Sequence, residues 1–293
     1  VEGMLYFPPT ANLTVTATHI FVQGVLKMDP PDSALGNKVR IRMEGSDDQY
    51  LHPHADNAMA CNMTTGCKVG KKVIAVAGGR LDIRGLEDGT CPAWTKLQSI
   101  LTPHEITVSD PKAAECWGSR PNDEILITNS KSSGGWSNQV VMTVRSVDAV
   151  TGNFSFAQTD SVGNPSSLDD DLHMASEVAW LSRPIVFEAE GDGPKNGAHV
   201  ALHGGHLVIH HTPNIAQHIE GVEIRNFGQQ GILGRYPIHF HMSSSVAGSV
   251  VRKNVVRESK QRCVVIHGSH NVLVEDNVSF DSYGHCYILE DGG

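Results

Sequence analysis

The chain is a succession of short apolar runs, four to eight residues of Val, Ile, Leu, Phe and Thr, each closed by Gly, Asn, Asp or Pro. Apolar residues at helical spacing are almost absent, so the pattern predicts an all-β chain. Strands are expected at Leu13 to Ala17, His19 to Leu26, Lys38 to Met43, Lys72 to Val76 and, after the Gly78-Gly79 turn, Arg80 to Ile83. From Cys91 to Ser119 the prolines and the isolated Trp94 and Trp117 read as an irregular connection. Asp123 to Thr128, Gln139 to Val147 and Asn153 to Ala157 read as antiparallel strands, followed by the acidic loop at Asp169 and the run Glu177 to Glu188.

The last third carries a repeat. Asn254, Ser259 and Cys263 recur as Asn277, Ser282 and Cys286, each 23 residues later, and Val255 recurs as Val278. Asn226 is expected in the same slot at a spacing of 28, with an insertion around Ser243 to Gly248 absorbing the difference. A period near 23 suits a parallel β-helix, in which each coil climbs one inter-strand spacing of about 4.8 Å and Asn stacks on Asn. In this register Ile238 to His241 lies over Val264 to His267, which lies over Tyr287 to Glu290. His241, His267 and Glu290 should therefore stack at one edge, with Asp291 and His285 close by.

Composition narrows the class. A chain of 293 residues with 40% hydrophobic and 19% charged residues is neither disordered nor too short to bury a large core, and 29 glycines with 6% aromatics suit a turn-rich β protein. No apolar run reaches the length of a membrane span. A formal charge of -9 argues against a nucleic-acid partner, but the charge is uneven. Between Gly221 and Arg262, Arg225, Arg235, Arg252, Lys253, Arg257, Lys260 and Arg262 face only Glu223 and Glu258, so 7 - 2 gives +5 there and -14 elsewhere. An acidic polysaccharide is compatible with that stretch. Cys61 with Cys67, and Cys91 with Cys116, are spaced for local bridges, and four Asn-x-Ser/Thr sequons, at Asn12, Asn62, Asn153 and Asn277, fit a secreted protein. The chain opens and closes beside strand-like runs without a targeting segment, and is expected to be part of a longer protein.

Sixteen histidines are many, and most follow Leu172. In GRYPIHFH, Gly234 to His241, His239 and His241 alternate along a strand and share a side. With His267 and Glu290 in register, these are ligand types for a divalent ion (Zn, Ca or other), which would activate water or polarise a substrate. The same His239, His241, His267 and Glu290, with Asp291, are the candidate catalytic groups; Arg235 would hold a carboxylate, and Tyr236 would stack on a sugar beside His285. Against this stands a plainer reading, in which histidines of a β-helix stabilise turns or line its surface; it is preferred for His199, His203, His210, His211 and His218. Cys263 and Cys286 read as buried small apolar residues rather than nucleophiles. No nucleophile elbow, Walker loop, dinucleotide fingerprint or paired zinc cysteines occur. What remains is acid-base attack on a polysaccharide, either hydrolysis by two carboxylates (Glu290 with Asp291 or Glu258) or elimination beside a uronate carboxylate.

These residues carry a resemblance. GVEIRNFGQQGILGRYPIHFHM (Gly221 to Met242), CVVIHGS (Cys263 to Ser269) and GHCYILEDG (Gly284 to Gly292) closely resemble the family of the cell-migration-inducing hyaluronan-binding proteins and fibrocystin-L. AGGRLDIRG (Ala77 to Gly85) is similar to the end of their eight-glycine domain, and PNDEILI and SEVAWLSRPIVF to the segment after it. The resemblance implies a right-handed parallel β-helix preceded by an eight-glycine β module. Residues 1–100 would be that module, truncated at its start, residues 101–190 a β connecting segment, and residues 191–293 the β-helix coils, truncated at their end. It further implies an extracellular or cell-surface protein and hyaluronan binding or depolymerisation, with His239, His241, His267, His285, Glu290 and Asp291 in the motif positions. The alternative within the same family is a non-catalytic surface scaffold of fibrocystin-L type.

Overall fold

Alternation along each short strand sends every second side chain inward, and stacking such strands in parallel gives one continuous aliphatic interior. The structure, a computed structural model, describes residues 1–46, 49–51, 67–87, 89–118, 120, 122–128, 139–157, 176–190 and 203–290. Two compact units divide the chain: residues 1–32, 37–87 and 183–293 form the first, residues 33–36 and 88–182 the second.

The first unit opens with β1 (Met4–Phe7) and β2 (Leu13–Ala17), followed by a coil of β3 (His19–Val22), β4 (Val25–Met28) and β5 (Val39–Met43). After the antiparallel pair β6 (Gln49–Leu51) and β7 (Cys67–Gly70), β8 (Val73–Ala77) and β9 (Arg80–Arg84) start a further coil. The chain then leaves to build the second unit: β10 (Trp94–Thr102), β11 (Glu105–Val108), α1 (Pro111–Cys116), β12 (Glu124–Ile127), β13 (Val140–Asp148), β14 (Asn153–Phe156) and β15 (Glu177–Trp180). It returns at β16 (Ile185–Ala189), which completes the interrupted coil by pairing in parallel with β5 and β19 (Val222–Arg225). With β19 belong β17 (His206–His210) and β18 (His218–Glu220); β20 (Ile238–Arg252) with β21 (Val255–Arg257), β22 (Val264–Glu275) with β23 (Val278–Phe280), and β24 (Tyr287–Glu290) continue the stack.

Strands of successive coils pair in parallel on three faces. One runs through β3, β8, β17, the start of β20, the start of β22, and β24. A second runs through β1, β4, β9, β18 and the later parts of β20 and β22, and a third through β2, β5, β16, β19, β21 and β23. Inside, Val22, Val76, Ile209, Phe240 and Ile266 stack in register on the first face, and Ile41, Phe187, Ile224 and Val256 on the third. All belong to one core cluster. Burial of side chains this size is worth about 1.5–3 kcal/mol each. The expected division at residues 100 and 190 differs from the observed units, because the first and last segments share these ladders.

The corners repeat as well. Asn226, Glu258 and Asp281 follow β19, β21 and β23 at equivalent positions, with φ of 56°, 57° and 54°. Gly85 sits where coils touch: a Cβ there would run into the Gly221 carbonyl. The expected Asn ladder forms between Asn254 and Asn277, whose Oδ1 accepts from the Asn254 backbone N–H and from its Nδ2, both at 3.0 Å. Asn254 Oδ1 in turn accepts from the Val222 N–H at 3.0 Å. Asn226 is therefore not in that ladder. Glu223 pairs with Val255, which sets Val222 over Asn254 and gives Asn226 to the left-handed corner, a conformation that Asn tolerates.

In the second unit the strands close an antiparallel barrel in the order β10-β11-β14-β13-β12-β15. Leu97, Ile106, Ile125, Ile127, Phe154, Phe156 and Trp117 are buried in it. The stretch expected to be irregular thus holds β10, β11 and α1. In β10 only Thr95 and Leu97 of its first half are buried, between exposed Trp94, Lys96 and Gln98, so the apolar signal is thin. Asp110 caps α1 through Oδ1, which accepts from the Lys112 N–H at 2.9 Å, with Pro111 in the first turn. Cys91 and Cys116 are bridged, as their spacing implied; the Cys61 and Cys67 side chains lie outside the described residues. Among the described residues no helix is long and apolar enough to cross a membrane.

Candidate functional site

At the entry to β20, Gly234 turns with φ 84° and Pro237 precedes the strand. Ile238 and Phe240 then enter the core, while His239 and His241 point the other way. The ladder pairs His241 with His267 and His267 with Glu290, as the spacing predicted. It also pairs His210 with His241, a register that the sequence repeat does not reach.

His239, His241 and His267 each offer a ring nitrogen, and these atoms lie within 4.8 Å of one another. Nδ1 of His241 and Nδ1 of His267 are 3.1 Å apart, so one ring donates and the other accepts. Nδ1 of His239 is 2.7 Å from the Gly234 carbonyl, which can only accept; the proton therefore sits on Nδ1. Its Nε2 is buried and has no hydrogen-bond partner. Burial first, then the His241 ring, depress the His239 imidazole to about 3, with His267 and His210 adding and the Gly234 contact opposing. Burial, and next His241 and His211, hold His210 at about 4, and its ring stacks on His241 with centroids 5.2 Å apart. His241 is lowered as well, by burial and by His267. His239, His210 and His241 are thus held toward the neutral form, and the tautomer of His239 is fixed by the backbone.

Glu290 stands beside this set. It forms an ion pair with Arg262, accepts from the Tyr236 hydroxyl at 3.4 Å, and lies 3.8 Å from His267 Nδ1. Arg262 also donates to the Tyr236 oxygen at 3.1 Å, and its guanidinium lies over the Tyr236 ring at 5.3 Å.

Other expected residues fall elsewhere. Tyr236 is 1% exposed, so it presents no face for a sugar; only its hydroxyl reaches the site. Arg235 donates to Gln229 Oε1 at 2.7 Å and packs where any side chain on Gly70 would go. His285 is exposed and outside the imidazole group, and Asp291 lies outside the described residues. Glu258 pairs with Arg257 at 3.7 Å at a corner of the third face. The basic stretch does not form one patch: Arg225 and Arg257 meet Glu223 on the third face, and Arg252 meets Glu220 on the second. Cys263 and Cys286, read as apolar packing residues, are joined in a disulfide that ties adjacent coils under the site. Adjacent stacking with Cα atoms 4.3 Å apart makes the bond reachable, a signal already present in their repeat spacing.

Comparison with known proteins bears on what this site is for. A model of the G8 domain matches residues 1–98, and a model described as CEMIP beta-helix matches residues 202–293. Protein rliB of Dictyostelium discoideum is 30% identical over 288 residues, covering 96% of this chain and 23% of that protein. A G8 domain-containing protein of the same organism is 29% identical over 301 residues, covering all of this chain and 19% of its own length. Cell surface hyaluronidase CEMIP2 of Homo sapiens is 33% identical over 137 residues, 42% of this chain and 10% of that protein. The chain spans about a fifth of the length of the Dictyostelium relatives that match nearly all of it.

Proposed function

The chain combines a G8 domain with a CEMIP-type β-helix, and we propose on that footing that its histidine face binds and cleaves an acidic polysaccharide of hyaluronan type outside the cell. The observation that carries the reading is the in-register group of His239, His241 and His267 with Glu290 and Arg262 at its edge, on a long face of parallel strands. A right-handed coil, a linear polymer lying along the face, and attack at the imidazoles form one consistent picture. The disulfide-bonded cysteines and the likeness to a surface hyaluronidase support an extracellular or cell-surface setting.

The imidazoles fit a divalent metal. His239 Nε2 is buried, unpartnered and deprotonated, with Nδ1 held by a carbonyl in the manner of a metal-ligating histidine. His241 and His267 would complete the donor set. A bound ion would supply Lewis acidity toward a uronate or glycosidic oxygen. For the chemistry itself, the described residues place one carboxylate, Glu290, at the imidazoles, where hydrolysis by a carboxylate pair needs two. Elimination suits the group better. In it the proton beside the uronate carboxylate moves to an imidazole nitrogen, its electron pair forms a C=C bond in the uronate, and the glycosidic C–O bond breaks with its pair on the leaving sugar oxygen, which takes a proton from the imidazolium or from water.

The test is incubation of the purified chain with hyaluronan, followed by polymer size and the ultraviolet absorbance of an unsaturated uronate, for wild type and His239→Ala/His241→Ala. Shortening lost in the variant supports the reading; unchanged length together with no binding removes it. The burial of Tyr236 and the internal pairing of Glu290 favour a second reading, a scaffold in which these residues only brace the coils. That reading predicts a lower melting temperature in the same variant with no change in any ligand affinity.

A further inference from the structure

Arg262 occupies the coil position under Tyr236, since Ile238 pairs with Val264, and its side chain crosses toward the histidine column. Its guanidinium holds a carboxylate already, that of Glu290. The Tyr236 oxygen takes a hydrogen bond from Arg262 at 3.1 Å, which leaves the phenolic proton to donate to Glu290 Oε1 at 3.4 Å. Two donors of different kinds thus converge on one carboxylate oxygen. The buried phenol fixes the guanidinium from behind through its ring, 5.3 Å away, so the receptor is rigid on one side and open on the other. The Arg262 side chain keeps 31% of its surface and that of Glu290 20%, so both are reachable from solvent.

The arginines at Arg40, Arg225, Arg252 and Arg257 are matched to glutamates on the other two faces, Arg225 within its own strand and the other three from coil to coil. Glu290 differs, because its second oxygen faces His267 at 3.8 Å, beyond hydrogen-bond range. Its hold on the receptor is therefore through Arg262 and Tyr236. We infer that Arg262 is the specificity-determining residue for the carboxylate of a uronate unit, and that Glu290 is an internal occupant of that receptor which the ligand carboxylate displaces. A planar guanidinium suits this exchange, since it presents paired donors in carboxylate geometry and does not lose its charge. Displacement also turns Glu290 toward the imidazoles, coupling recognition of the acidic unit to the reacting site.

The inference rests on the acidic-polysaccharide reading, and the experiment separates the two. Binding of hyaluronan and of its carboxyl-reduced, neutral counterpart is measured on the purified chain for wild type, Arg262→Gln, Arg262→Lys and Glu290→Gln, with melting temperatures taken alongside. Wild type is expected to prefer the acidic polymer by about tenfold or more, the worth of a charge-assisted hydrogen bond. Arg262→Gln should erase that preference while binding to the neutral polymer persists, Arg262→Lys should retain part of it, and Glu290→Gln should strengthen acidic binding by removing the competitor. A preference that survives Arg262→Gln, or acidic binding that weakens in Glu290→Gln, overturns the inference and leaves the broader reading standing. Binding of neither polymer by wild type overturns both.

Discussion

His241 and His267 face each other across adjacent parallel strands, with their Nδ1 atoms 3.1 Å apart, so that in the absence of an ion they share one proton between two rings. Binding a metal through both rings, with His239 Nε2 as the third donor, must break that contact. The proton between them must move to the other nitrogen of its ring, so loading of neutral rings should release essentially no proton to solvent. Calorimetric titration with Zn²⁺ in two buffers of different ionisation heat checks this, and His239→Ala, His241→Ala and His267→Ala should each weaken binding by about 10- to 100-fold or more. Affinities untouched by all three changes would speak against a metal role, and heats that differ between the two buffers against the internal proton shift.

Stability should fall with acid well above the carboxylate range. His239 and His210 have folded values of about 3 and 4, both below their ordinary 6.5. Between those limits the unfolded chain binds protons that the folded chain refuses, so stability is full above about pH 6.5 and lost as pH falls toward the folded values. Each histidine contributes a slope of up to about 1.4 kcal/mol per pH unit. Glu220, held low against the cost of its burial by His218 and Arg252, adds its own loss only further down. Urea unfolding from pH 7.5 to 5 should thus steepen in wild type and flatten in His239→Gln and His210→Gln; parallel profiles would sink the assignment.

The asparagine ladder should be asymmetric. Asn254 is fully buried, and its amide group bonds to Ile219, Val222 and Asn277, whereas Asn277 is partly buried. Asn254→Ala leaves the Ile219 carbonyl and the Val222 N–H unsatisfied, at about 1–3 kcal/mol each. Asn277→Ala should cost less. Asn226→Ala should cost only the strain of a left-handed alanine, about 1–2 kcal/mol. Denaturant midpoints for the three variants give the order directly, and equal losses at Asn226 and Asn254 would contradict the register.

The sequence has four tryptophans, and the three among the described residues, Trp94, Trp117 and Trp180, fall within the second unit. Tryptophan fluorescence thus reports that unit separately. Replacing Cys91 and Cys116 by Ser removes a link spanning 25 residues and should lower the stability seen by fluorescence by about 2–4 kcal/mol. An unchanged fluorescence midpoint would show that the bridge contributes nothing there.

Much of the fold could be read from the chain because short strands with inward Val, Ile and Phe leave a clear alternation. The register of His241, His267 and Glu290 followed from it. His210 was hidden because 241 - 210 places it 31 residues before its partner, so the repeat period breaks there. Asn226 was misassigned for a related reason: its coil is longer than the next, and matching by residue type found the wrong partner. In the barrel, β10 alternates Thr and Leu with Lys and Gln, and such a strand is recognised only once its neighbours are known. Tyr236 looked like a sugar platform because sequence gives residue type and not depth.

The coil begun by β8 and β9 closes only after the barrel residues have been spelled out, at β16. During synthesis from the first residue onward, β5 therefore waits for its next neighbour on the third face through the whole of the second unit. The G8 match ends at residue 98, past the departure point but before the returning strand. A fragment cut there would carry part of the barrel and a coil lacking one side, with the edge of β5 bare and prone to recruit a foreign strand. For this molecule the smallest piece expected to fold cleanly runs through Ala189 at least, so an evolutionary boundary and a folding boundary fall at different places along the chain.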